Sequence, residues 1–114
     1  MRVYADMVAD LFHHGHVEFL KQARDLGGYL IVGVAGDEDA ADGKRHPILK
    51  VEERAKVMAA CRYVDEVIPN APWRIDASWI AQHHIDIVVH GDDYDKKELN
   101  DYYRVPIEMG IFLT

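Results

Sequence analysis

Residues 29–35 read Tyr-Leu-Ile-Val-Gly-Val-Ala, an almost unbroken apolar and β-branched run. A strand with one wet face alternates apolar and polar residues. A run without alternation fits a strand covered on both faces, as in a parallel sheet flanked by helices. The sequence before it agrees. Val17, Leu20, Ala23 and Leu26 recur at three-residue steps, and Leu-Gly-Gly at 26–28 supplies a stop, so 15–26 predicts a helix. Earlier still, 2–8 predicts a first strand, with Val3, Tyr4, Met7 and Val8 apolar.

The alternation continues downstream. An acidic, Gly-containing loop from residue 36 turns basic at Lys44 and Arg45. A helix follows at 51–61, with Glu52 and Glu53 near its positive end. Residues 64–69 predict a short third strand ended by Pro69, and 76–84 a helix capped by Asp76. A fourth strand is expected at 85–91, and 96–103 begins a last helix whose extent Pro106 complicates. Phe112 to Thr114 start a fifth strand. This order predicts one α/β domain over 1–114 built on a parallel sheet. Ligands of such sheets sit beyond the carboxyl ends of the strands. That rule selects the loops at 9–16, 36–46 and 90–94, all rich in His, Asp, Lys or Gly.

Composition narrows the function. The chain has 114 residues and is 49% hydrophobic, enough for one domain with a real core. No apolar run approaches the ~18 residues of a membrane span, and no signal peptide is expected. Cys61 is the only cysteine, which excludes an internal disulfide and fits a reducing cytosol. A net charge of −7 argues against a general nucleic-acid binder but leaves an anionic small ligand open.

His13, His14 and His16 crowd around Gly15 at the expected start of the first helix. A helix start carries roughly half a positive charge and unpaired N–H groups, so it attracts phosphate. Gly15 would let a phosphate approach the backbone. His13 and His16, three apart, can face one ligand there, with His14 pointing elsewhere. Such imidazoles would stabilise charge by hydrogen bonding during displacement at phosphorus. Two other accounts stay open at this point: a zinc site using His13, His16 and Asp10, and plain solvated loop histidines.

The stretch from Asp10 to Val34, with its His-x-Gly-His motif, resembles the signature region of the cytidylyltransferases, of the nucleotidyltransferase superfamily. "RYVDEVIPNAPW" at 62–73 and "IDIVVHGDDY" at 85–94 are similar to two further landmarks of the group that activates phosphocholine, phosphoethanolamine or glycerol 3-phosphate. The resemblance covers essentially the whole chain. It implies a Rossmann-like doubly wound parallel sheet and transfer of CMP from CTP to a small phosphorylated alcohol, releasing pyrophosphate. It assigns His13 and His16 to the nucleotide phosphates and Lys44 to a bridge between the phosphates of both substrates. Asp10, Gly15, Arg62, Asp92 and Asp93 fall on nucleotide-binding positions. Trp73 and Tyr94 fall near the acceptor, where an aromatic and carboxylate pocket suits a quaternary ammonium. Mg²⁺ is expected to bridge the phosphates, and a homodimer is expected through regions near the histidine turn and Tyr63–Val64.

This sequence departs from the family pattern in two ways. Met7 stands where glycine is usual, and Ala9 where an aromatic is usual. The family also continues past a segment like 102–114 with a nucleotide-binding stretch resembling Arg-Thr-x-Gly-Ile-Ser-Thr. The sequence stops at Thr114, so it is read as C-terminally incomplete, and as written it is expected to be inactive or to bind CTP weakly. These departures keep two alternatives in view: a non-catalytic nucleotide-binding module, and an enzyme using ATP. The acceptor also stays open, with the ethanolamine and choline branch favoured over glycerol 3-phosphate.

Overall fold

In the computed structural model the fold is described for residues 1–8, 12–37, 48–90 and 100–113. Nine elements alternate along them. They are β1 (Arg2–Met7), α1 (His14–Gly27), β2 (Tyr29–Ala35), α2 (Val51–Ala59), β3 (Glu66–Ala71), α3 (Ala77–Gln82), β4 (Ile87–Val89), α4 (Arg104–Glu108) and β5 (Phe112–Leu113).

The strands form a single sheet in the order β3-β2-β1-β4-β5, and every pairing is parallel. This is the expected Rossmann-like doubly wound sheet. Alternate residues of β1 and β2 serve opposite faces. Val3, Ala5, Leu30, Val32 and Val34 join one core with Leu20 and Ala23 of α1 and Val51 and Met58 of α2. Tyr4 and Ile31 turn to the other face and join Ile75, Ile80, Ile85, Val88 and Tyr103. The apolar run of β2 is explained: both of its faces are dry.

Helix ends follow the sequence signals. Gly28 closes α1 with φ of 84°, its N–H donating to the Arg24 carbonyl at 2.7 Å. Asp76 caps α3 by accepting the Trp79 N–H at 2.8 Å. Gly33 answers a packing need: a Cβ there would collide with the Tyr4 hydroxyl and lie 2.8 Å from the Ala71 Cβ.

Several boundaries differ from expectation, three of them instructively. β3 runs through Pro69 to Ala71 instead of ending at Pro69. It is an edge strand, where a missing N–H costs little. β4 is shorter than expected at Ile87–Val89. Residues 100–102 are helical, as expected, but the chain breaks at Tyr103 and a separate helix follows, with Pro106 buried in its first turn, where no N–H is needed. The start of the helix expected at 96–103 falls mostly on residues outside those described.

Candidate functional site

The chain order places the site. β1 is followed to one side by β2 and to the other by β4, so the strand order reverses between β1 and β4. Ligands of open α/β sheets bind beyond the carboxyl ends at such a point. A pocket opens there, lined by Asp6, Met7 and Val8 at the end of β1 and Ala35 at the end of β2. Ala71, Pro72 and Trp73 close it from β3, and His90 and Tyr103 from the other side.

Parallel register builds its polar wall. Ala5 pairs with Val89, so the next residues, Asp6 and His90, stand side by side. The Tyr103 hydroxyl donates to Asp6 Oδ1 at 2.5 Å and lies 3.2 Å from His90 Nδ1. His90 Nδ1 is itself 3.4 Å from the same carboxylate oxygen. All three side chains are buried or nearly so. A carboxylate taken this far from water needs such partners. Asp6 is also the charge that, after burial, raises the pKa of Tyr4 two residues earlier.

The aromatic wall is fastened from behind. Trp73 packs on Tyr102 with ring centroids 5.4 Å apart. The neighbouring Arg74 clasps Asp101 through two bonds of 2.8 and 3.1 Å, and the Ile75 N–H donates to the Tyr102 carbonyl at 3.2 Å.

At the same edge of the sheet α1 begins, and its cap is made of histidines. His13 is the N-cap residue; its Nδ1 accepts the Gly15 N–H at 2.9 Å. His16 Nδ1 accepts the His13 N–H at 3.1 Å in return. This is a capping box with imidazoles in place of hydroxyl and carboxylate. Because each Nδ1 accepts, each neutral ring carries its proton on Nε2. The rings lie 4.1 Å apart, and Phe12 stacks on His16 at 5.5 Å. Burial, then the neighbouring His13, lowers the pKa of His16, which favours the neutral donor form. His14 is exposed, as expected. At Gly15 a Cβ would sit 2.8 Å from the His13 ring.

A third feature, unseen in the sequence, lies beneath the pocket floor. Arg54 of α2 is fully buried. It donates to the Val8 carbonyl at 2.9 Å, the Ala35 carbonyl at 2.7 Å, the Leu49 carbonyl at 3.0 Å and Asp37 Oδ1 at 2.7 Å. Burying a charge costs several kcal/mol, which only well-placed partners offset.

Of the predicted residues, His13, Gly15 and His16 come together, and Trp73 lines the pocket. Arg62 does not join them: it is exposed after α2, its guanidinium 5.8 Å from the Tyr63 ring. Asp10, Lys44, Asp92, Asp93 and Tyr94 lie outside the described residues. Sequence reasoning missed Asp6, His90, Tyr103 and Arg54. A charged residue inside the apolar first strand was a readable sign of Asp6. Arg54 falls on the stripe formed by Val51 and Met58, the buried face of α2. Among the described residues no group of three His, Cys, Asp or Glu side chains converges to hold a metal.

A family model described as cytidylyltransferase-like matches residues 5–108. The chain belongs to the cytidylyltransferase-like family. Ethanolamine-phosphate cytidylyltransferase of Arabidopsis thaliana is 48% identical to it over 96% of this chain and 28% of its own length. Choline-phosphate cytidylyltransferase A of Rattus norvegicus is 44% identical over 98% of this chain and 31% of its own length. The chain thus spans about a third of the length of such relatives. Among solved structures, a lipopolysaccharide core biosynthesis protein from Thermoplasma volcanium superposes with a TM-score of 0.78. That protein is 28% identical, over 100% of this chain and 92% of its own. The cytidylyltransferase-like match spans β1 to α4, so the pocket and the histidine cap both lie within it.

Proposed function

We propose that the protein transfers CMP from CTP to a small alcohol phosphate, with phosphoethanolamine or phosphocholine favoured, giving a CDP-alcohol and pyrophosphate. The observation that carries this reading is the pairing of two sites at one edge of the sheet. One is a helix start capped by two imidazoles; the other is a pocket combining the Asp6 carboxylate with the rings of Trp73 and Tyr103. The first suits phosphate and the second suits a cationic amine. The names of the relatives support the same pair of substrates.

An acceptor phosphate oxygen attacks the α-phosphorus of CTP in line. The new P–O bond forms as the bond to the β-phosphate oxygen breaks, and pyrophosphate leaves. His13 and His16 hydrogen-bond through Nε2–H to the phosphate oxygens that gain charge. One donor of this kind is worth roughly 10²–10³-fold in rate. The α1 terminus adds its own N–H groups. Asp6 orients the amine, held in place by Tyr103 and His90. Lys44 bridging the two substrates, with Asp10, Asp92 and Asp93 on the nucleotide and Tyr94 near the acceptor, completes the proposal.

Magnesium enters as the counter-ion of CTP, offsetting charge on the phosphates when bound. Among the described residues no cluster of His, Cys, Asp or Glu side chains converges to hold it. No step is therefore assigned to it. A reducing, cytoplasmic setting is supported by the lone Cys61. Among the described residues no helix is long and apolar enough to cross a membrane. A homodimer is proposed as well; Tyr63 and Val64 pack partly against the core of their own chain.

The experiment is pyrophosphate release from CTP by the full-length protein with phosphoethanolamine, phosphocholine or glycerol 3-phosphate. Turnover is expected with at least one amine-bearing substrate, at least tenfold above glycerol 3-phosphate. No release with any of the three rejects the enzyme. CTP binding by calorimetry without release then identifies a nucleotide-binding module.

A further inference from the structure

Arg54 occupies a place that its cost alone does not explain. Its guanidinium spans the carboxyl ends of two adjacent parallel strands, bonded to Val8 just past β1 and Ala35 at the end of β2. Two further bonds reach Asp37, just past β2, and Leu49, just before α2. Val8 is also a pocket wall and, five residues on, the chain forms the histidine cap. Four directed bonds from one planar group fix three chain segments relative to each other. Arginine is suited to this and lysine is not, because an ammonium is a point charge without the planar fork.

We infer that Arg54 is a positioning residue for the reaction: it holds the roots of the histidine turn and of the β2 exit in register, without touching substrate. The role rests on the proposed nucleotidyl transfer at this edge of the sheet. Bound reactants misplaced by about 1 Å lose on the order of 10²-fold in rate. The polar groups proposed to hold the acceptor, Asp6, His90 and Tyr103, bond to one another and make no bond to Arg54. A relaxed Arg54 clamp therefore slows chemistry more than it weakens acceptor binding.

The test is R54K in the full-length protein, which keeps the charge and removes the fork. Folding is checked by circular dichroism and thermal midpoint. Two readouts follow: kcat against acceptor KM, and the titration of the His16 ring by NMR. Folded R54K is expected to lose about 10–100-fold in kcat, with acceptor KM within threefold. Its His16 titration is expected to move up towards an ordinary imidazole, as the ring loosens from the cap. A merely structural arginine would leave that titration where it is. Folded R54K with kcat within twofold and an unmoved His16 overturns the inference.

If R54K does not fold, D37N decides. Asp37 is 41% exposed, so its loss is tolerated more easily, and Arg54 keeps its three carbonyl partners. A several-fold fall in kcat with the same upward movement of His16 supports the role, and unchanged values overturn it. Wild-type protein that releases no pyrophosphate defeats the transferase reading; the His16 titration in R54K then decides separately whether Arg54 holds the histidine turn.

Discussion

Tyr103 donates its hydroxyl proton to Asp6 at 2.5 Å, joining two residues 97 positions apart across the pocket wall. Tyr103 is 1% exposed and Asp6 9%, so water offers little replacement for this bond. Losing one partner of a buried, charge-assisted bond costs about 1–3 kcal/mol. Y103F is expected to lose stability on that scale in urea unfolding. It should also raise KM for phosphoethanolamine or phosphocholine at least fivefold, with a smaller effect on KM for CTP. Unchanged acceptor KM would separate this wall from the acceptor.

H16A is expected to fold, since one cap bond is worth about 0.5–2 kcal/mol. Its kcat should fall roughly 10²–10³-fold through loss of one donor to the phosphates. Steady-state kinetics beside circular dichroism checks both halves. A folded variant with full turnover would show that the imidazoles serve only the helix.

Acid should act on the same ring. His16 has a lowered pKa, from burial and then from His13 4.1 Å away; Phe12 stacks on it. The folded state therefore resists protonation there. Its stabilising contribution is complete above the ordinary imidazole value of about 6.5 and is lost as pH falls through the lowered one. Protonation also places a hydrogen on Nδ1, where the His13 N–H is accepted. Protection of the His13 amide against exchange, taken relative to the intrinsic rate at each pH, should fall as pH falls through that window. Protection independent of pH between 7 and 5 would contradict this.

G33A tests the sheet. The added Cβ meets the Tyr4 hydroxyl and the Ala71 Cβ, both held by the sheet itself. Overpacking of this kind costs about 1–3 kcal/mol. A thermal midpoint lowered by several degrees is expected; an unchanged midpoint would mean that Tyr4 has room to move.

Legibility of the sequence followed distance along the chain. The β2 run, the Gly28 stop and the Asp76 cap were readable because each depends on neighbours within a few residues. The histidine turn was readable as a motif, yet its tautomers were not, since they depend on which backbone N–H each ring meets. Asp6, His90, Tyr103 and Arg54 acquire their meaning from partners 13 to 97 positions away. A periodicity reading assigns Arg54 to a helix and leaves its depth unknown. Pro69 misled for a related reason: a strand's tolerance for proline depends on whether it lies at an edge, which only the topology decides.

β1 is the hub of the crevice, and it precedes both of its sheet neighbours in sequence. During synthesis it can pair with β2 after about two dozen more residues, but β4 arrives only at Ile87. A nascent chain that has reached β3 therefore has its histidine-capped helix and half a sheet, and Asp6 still lacks both His90 and Tyr103. Amino-terminal fragments ending before β4 lack His90 and Tyr103 and so leave Asp6 without either partner. Closing the long loop from β1 to β4 is the slow, non-local event in such a topology, and it is the event that brings His90 beside Asp6.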